Sequence, residues 1–302
     1  INVPTFVVGG LFDLFQRSEP LWYERLSGRV PTKLLIGPWT HIAAAGVPDN
    51  GLPADGVPDL DTLRLQWFDE YVMGLDTRVT EQPNVTQYVL GLDSYQTATH
   101  WPHPELRAER LYLGAENALS QQLPVNDETY QTLQQPLNGL CSFSTTQWTA
   151  GLTGQIPLPC LEDNRFSELA ALKFELEAPD EGLYLNGPMQ ADLWVSTTAA
   201  DVQVAVRLDL VSPDGTTRPL SNGLQTASLH SVDESRSRFV NGEMLQPWHS
   251  FAEGERSMMK PGEIRKVSVE IFPSSAFVEP GSSLRVSVNT SNVAQGVPPV
   301  LT

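Results

Sequence analysis

Val3-Pro4-Thr5-Phe6-Val7-Val8-Gly9-Gly10-Leu11-Phe12-Asp13 and Lys33-Leu34-Leu35-Ile36-Gly37-Pro38-Trp39-Thr40-His41 decide how this 302-residue chain folds. Each is a short apolar run ending in a glycine turn. The first turn delivers a carboxylate and the second an imidazole. Apolar runs with β-branched members suit strands buried on both faces. Between them, Ser18 is placed to cap a helix through Leu26, with Glu19 in its first turn, Pro20 near its start and Ser27-Gly28 at its end. Strand, helix, strand with short loops is a βαβ unit, which requires a parallel sheet. Such sheets present reactive groups on loops just past the carboxyl ends of their strands, where Asp13 and His41 both stand.

Outward from this unit, residues 42–58 are dense in Gly and Pro and read as a loop. Residues 59–74 carry Leu60, Leu63, Trp67 and Tyr71, with Phe68 and Val72, at spacings of three and four. They predict an amphipathic helix capped by Asp59 or Asp61 and ended by Gly74. The texture changes near Glu81. Short alternating runs at 85–90, 110–113, 172–176, 190–197, 203–210, 265–271 and 283–289 follow. Turn signals at Asp214-Gly215, Asn222-Gly223, Pro261-Gly262 and Pro280-Gly281 separate several of them. That spacing suits an all-β sandwich or jelly roll.

The formal net charge is −17, and such a surface repels phosphates, so nucleic acid and membrane surfaces are not expected partners. No run approaches the roughly 18 apolar residues of a membrane helix. The chain opens directly into an apolar strand without a leader-like segment, and both ends look cut, as expected of a piece of a longer protein. The two cysteines, Cys141 and Cys160, bracket a polar loop. Bridged, they close about 20 residues, worth roughly 3 kcal/mol, and imply an extracytoplasmic or secreted location. As free thiols they imply a cytoplasmic one.

A carboxylate at Asp13 can accept the Nδ1–H of His41, fixing its tautomer and stabilising the imidazolium. Acid before histidine is also the chain order of an α/β-hydrolase triad. The Gly-x-Ser-x-Gly elbow that carries the nucleophile occurs nowhere in the chain and belongs upstream of residue 1 in that order. His100 and His103 lie in an extended, Pro-rich segment without further ligands, so no metal site and no cofactor are expected. Asn84 and Asn289 each begin a glycosylation sequon.

The pair Val8-Gly9-Gly10-Leu11-Phe12-Asp13 and Gly37-Pro38-Trp39-Thr40-His41 resembles the cocaine esterase-like and X-prolyl dipeptidyl peptidase-type serine hydrolases. Residues 66–74, 88–91, 101–102, 111–113, 163–165, 185–188, 193–196, 210–215 and 291–292 agree with that family in order. The resemblance implies that 1–80 are the C-terminal part of an α/β-hydrolase catalytic domain and 81–302 a β-jelly-roll domain. It implies a serine, upstream of this chain, that attacks an ester or amide carbonyl, with His41 as its base and Asp13 orienting His41. Phe15 stands where the esterase carries an aromatic acyl-pocket residue, and Trp39, beside His41, is a second candidate for substrate contact. The α-amino ester hydrolase branch carries carboxylates just after the acid. Phe15 and Gln16 stand there instead, which favours an uncharged acyl group.

The expected function is therefore part of a serine hydrolase of acyl esters or peptide amides, with X-prolyl dipeptidyl peptidase activity within its range. The partners implied are a small ester or short peptide and the N-terminal part of the same protein, and a homo-oligomer is compatible with this. The alternative is a glycan- or ligand-binding jelly roll beside an inactive hydrolase remnant. Exposed aromatics on one sandwich face, with Trp148, Trp194 and Trp248 as candidates, would favour that alternative.

Overall fold

The computed structural model describes residues 1–44 and 60–299. Its elements run β1 (Thr5–Gly10), α1 (Ser18–Leu26), β2 (Thr32–Gly37), α2 (His41–Ala44), α3 (Leu60–Tyr71), β3 (Val85–Val89), β4 (Ser94–Ala98), β5 (Tyr112–Leu113), β6 (Leu119–Ser120), α4 (Phe143–Trp148), β7 (Leu172–Glu177), β8 (Leu183–Val195), β9 (Gln203–Val211), β10 (Thr217–Thr226), β11 (Arg238–Val240), β12 (Glu243–Gln246), β13 (Arg265–Val278) and β14 (Ser283–Asn289). The chain is mostly β, with few helices. No helix among the described residues is long and apolar enough to cross a membrane.

The first sheet has the order β1-β2-β3-β4. β1 and β2 are parallel, as the βαβ pattern requires, with Gly10 opposite Gly37. β2 is buried throughout, whereas Thr5 to Val8 of β1 are half-buried, because β1 is the outer strand of the sheet among the described residues. β3 is parallel to β2 and turns back antiparallel as β4. The division expected between residues 80 and 81 therefore falls between two neighbouring strands of one sheet. The apolar content of 85–90 reflects membership of this sheet, not the opening strand of the sandwich.

The rest is a sandwich. One sheet has the order β10-β9-β14-β7, and the long strands β13 and β8 pair as the other. Alternation sorts the faces. Val204, Val206, Leu208 and Leu210 of β9 share one core with Leu284 and Val286 of β14, Phe174 of β7, and Val267, Val269 and Ile271 of β13. That core also contains Leu34, Ile36, Val85 and Leu90, so it runs without a break from the first sheet into the sandwich. The other face of β9 carries Arg207 and Asp209. They are equally buried, under Asn138, Asn164 and Glu168 of the connection before β7.

Three local expectations are corrected. Asn222-Gly223 is not a turn but the middle of β10, where a Cβ on Gly223 would meet the Glu270 carbonyl oxygen at 2.0 Å. Glycine is there for the close approach of two strands. Ser18 does not cap α1. Arg17 occupies that position, and the Ser18 hydroxyl donates to the Phe15 carbonyl at 3.0 Å. On α3, Leu60, Leu63 and Trp67 are buried, but Phe68, and Val72 just past the helix end, are exposed, so the covered face is a narrow stripe. Asp59 and most of the 42–58 loop lie outside the described residues.

Candidate active site

Two parallel strands in register end in glycines side by side, and the turns that follow are stitched to each other. Leu11 N donates to Gly37 O at 2.8 Å and Phe12 N to Trp39 O at 3.2 Å. A Cβ on Gly10 would lie 2.2 Å from the Trp39 carbonyl oxygen, so only glycine lets the turns approach this closely. Asp13 N then donates to Gly10 O, and Phe15 N donates to Asp13 Oδ1 at 2.8 Å, which fixes the carboxylate. His41 opens α2 directly opposite. Its Nδ1 lies 3.0 Å from Asp13 Oδ2 and 3.2 Å from Oδ1.

Asp13 is 2% exposed, while the His41 side chain is 44% exposed. The buried carboxylate accepts the Nδ1–H. The free nitrogen of the ring, Nε2, is then the one left to exchange a proton with whatever occupies the open side. Phe15 stands beside this open side, half exposed, with its ring edge-on to the imidazole. It is not a core residue. Trp39, expected to touch substrate, is 3% exposed and packs with Leu35, Leu60 and Leu63. It supports the turn from beneath, with its indole in the core.

Other residues at the site carried no local signal in the sequence. Glu19 of α1 has an oxygen buried without a partner, and burial, with the nearby charge of Asp13 adding to it, pushes its carboxyl up to about 8. Gln16 and Gln147 are buried amides that bond each other below Asp13. Gln147 comes from α4, which lies between Cys141 and Cys160, and these two cysteines form a disulfide. The loop they close touches both turns. The Phe143 ring meets Phe12 edge-on at 4.7 Å, and Ile42 N donates to Ala150 O at 3.0 Å.

The remaining candidates lie elsewhere. His100 and His103 line a cleft of about 380 Å³ with Tyr184 and Asn186, away from Asp13. No group of three or more His, Cys, Asp and Glu side chains among the described residues is arranged to hold a metal. Asn84 is exposed, but Asn289 is buried at the end of β14 and closed to modification in the folded chain. Of the three tryptophans, only Trp194 is exposed. Trp148 packs on Phe272, and Trp248 lies under Arg236.

Comparison with known proteins agrees with this architecture. Residues 77–300 match the X-Pro dipeptidyl-peptidase C-terminal non-catalytic domain. Cocaine esterase of Rhodococcus sp. is 22% identical over 309 residues, which is 97% of this chain and 49% of that protein. A CocE/NonD family hydrolase from Staphylococcus aureus superimposes with a TM-score of 0.69 at 17% identity, over 96% of this chain and 47% of that one. An aminopeptidase from the archaeon Thaumarchaeota archaeon superimposes with a TM-score of 0.70 at 18% identity, over 96% and 48%. The chain thus spans less than half the length of the curated relatives it matches. It belongs to the X-Pro dipeptidyl-peptidase C-terminal non-catalytic domain family, and it is similar to the C-terminal region of cocaine esterase-like hydrolases.

Proposed function

We propose that this chain is the acid–base half of a serine hydrolase that cleaves acyl esters or peptide amides. In this reading residues 1–80 belong to the tail of its α/β-hydrolase domain, whose sheet β3 and β4 extend, and the sandwich that follows is a β-jelly roll. The observation that carries this reading is the buried Asp13 carboxylate 3.0 Å from Nδ1 of a half-exposed His41, on neighbouring parallel strands. The serine comes from sequence N-terminal to residue 1 and approaches His41 from its open side. His41 takes the serine proton and hands it to the leaving group, while Asp13 holds the tautomer and stabilises the imidazolium. An uncharged acyl group fits best, because Phe15 is the residue after the acid that stands at the open side of His41. The disulfide suits an oxidising compartment.

The test is fluorophosphonate labelling of the full-length protein. Labelling of a serine upstream of residue 1 in the wild type, lost in both Asp13→Asn and His41→Ala, supports the triad. Labelling that ignores both substitutions discards it. Residues 1–302 alone are expected not to turn over p-nitrophenyl butyrate.

A further inference from the structure

The acid's turn is tied to the sandwich through two buried amides, Gln147 and Gln16. Gln147 is 1% exposed. Its Nε2 donates to Gln16 Oε1 at 2.9 Å and to the main-chain oxygen of Asp13 at 3.3 Å. Its Oε1 accepts from Asn222 Nδ2 of β10 at 2.7 Å. Gln16 Nε2 in turn donates to Pro273 O of β13 at 2.7 Å. One strand from each sheet of the sandwich therefore reaches Asp13 through Gln147 and Gln16.

We propose that Gln147 is a positioning residue for the Asp13–His41 pair, so that the sandwich itself sets the geometry of the hydrolytic site. This rests on the reading of that pair given above. A site that needed only filling would take an apolar side chain, since burying an amide is costly unless its partners are in place. Here both kinds of amide atom are used, and each bond has a direction. The carboxylate of Asp13 is held by the main chain of its own turn, through Phe15 N. Moving that main chain moves the carboxylate relative to His41 Nδ1. Misplacement by about 1 Å at a catalytic centre can cost on the order of a hundredfold in rate. Gln147 also arrives on α4 inside the disulfide loop, so its own position is restrained from two sides. The family name calls this domain non-catalytic. Gln147, Asn222 and Pro273 all lie within the matched residues 77–300.

A double-mutant cycle on the full-length protein tests this, with p-nitrophenyl butyrate as substrate and the melting temperature recorded for each variant. Gln147→Met should lower kcat about tenfold or more and leave KM within about twofold. In an Asp13→Asn background the same substitution should change kcat by less than about twofold, while lowering the melting temperature as much as before. Asn222→Ala, which frees Gln147 without touching it, should lower kcat in the same conditional way by a smaller factor. It decides the matter if Gln147→Met does not fold. Wild-type kcat in a folded Gln147→Met protein overturns the proposal. So does an equal loss in both backgrounds, which would mark Gln147 as structural only. Full activity in Asp13→Asn alone would instead remove the catalytic pair, and is separable because it needs no change at Gln147.

Discussion

The ring of Phe15 stands edge-on to the imidazole of His41, with centroids 5.3 Å apart and planes at 76°. Half exposed at the open side of the histidine, the ring is placed to wall the space where an acyl group would sit. Removing it widens that space. Phe15→Ala in the full-length protein should shift the ratio of kcat/KM for p-nitrophenyl butyrate over acetate about tenfold toward the longer acyl group, the scale on which a methylene contact discriminates. An unchanged ratio would place Phe15 outside the pocket.

Glu19 makes stability depend on pH in a defined direction. Its carboxyl is pushed up to about 8, first by burial and then by Asp13. The unfolded chain gives up this proton in the ordinary carboxylate range, while the folded chain holds it to about 8. Between those limits the folded state binds more protons, so stability falls as pH rises. Glu19→Gln removes that contribution. Urea midpoints at pH 5 and pH 8.5 should differ less in the variant than in the wild type. An equal difference would show that Glu19 ionises normally.

Glu168 and Asp209 are adjacent buried carboxyls with opposite fates. Burial above all, with the neighbouring Glu168, pushes the Asp209 carboxyl well up. Burial opposes ionisation of Glu168 too. Hydrogen bonds from Asp209 and Ser287 and the Arg285 guanidinium outweigh it and hold Glu168 below the usual range. Asp209→Asn keeps a donor toward Glu168 and an acceptor for Asn164, and should cost no more than about 1 kcal/mol. Glu168→Gln takes the neighbouring carboxylate from the buried Arg207, while Arg285 keeps Glu175, and should cost roughly 3 kcal/mol. Equal urea unfolding energies for the two variants would refute this ordering of the two carboxyls.

The disulfide closes a loop with a sequence separation of 19. Cys141→Ser with Cys160→Ser should lower the unfolding free energy by about 2–4 kcal/mol through the freedom regained by the unfolded chain. A reducing agent should do the same to the wild type and nothing to the double variant. A response of the double variant to the reducing agent would point to another target.

The parts of the molecule that were legible in the sequence are those whose cause is local. The βαβ unit and the sites of Asp13 and His41 follow from apolar runs that stop at glycine. β9 and β14 follow from alternation. Context defeated local signals elsewhere. Asn222-Gly223 has the composition of a turn, but pairing with β9 and the close pass of Glu270 hold it in a strand. Trp39 is beside His41 in sequence, yet the turn points its indole into the core. The amide chain below Asp13 had no signature at all, because Gln147 meets Gln16 across 131 residues of sequence. Such contacts exist only once the sandwich has docked.

The position of β1 at the margin of its sheet has a practical side. Phe6, Val7 and Val8 sit on a strand whose second row of backbone donors and acceptors is unpaired among the described residues. Any extended peptide can add there, including β1 of another copy, so preparations of this chain by itself carry a built-in template for strand-by-strand aggregation.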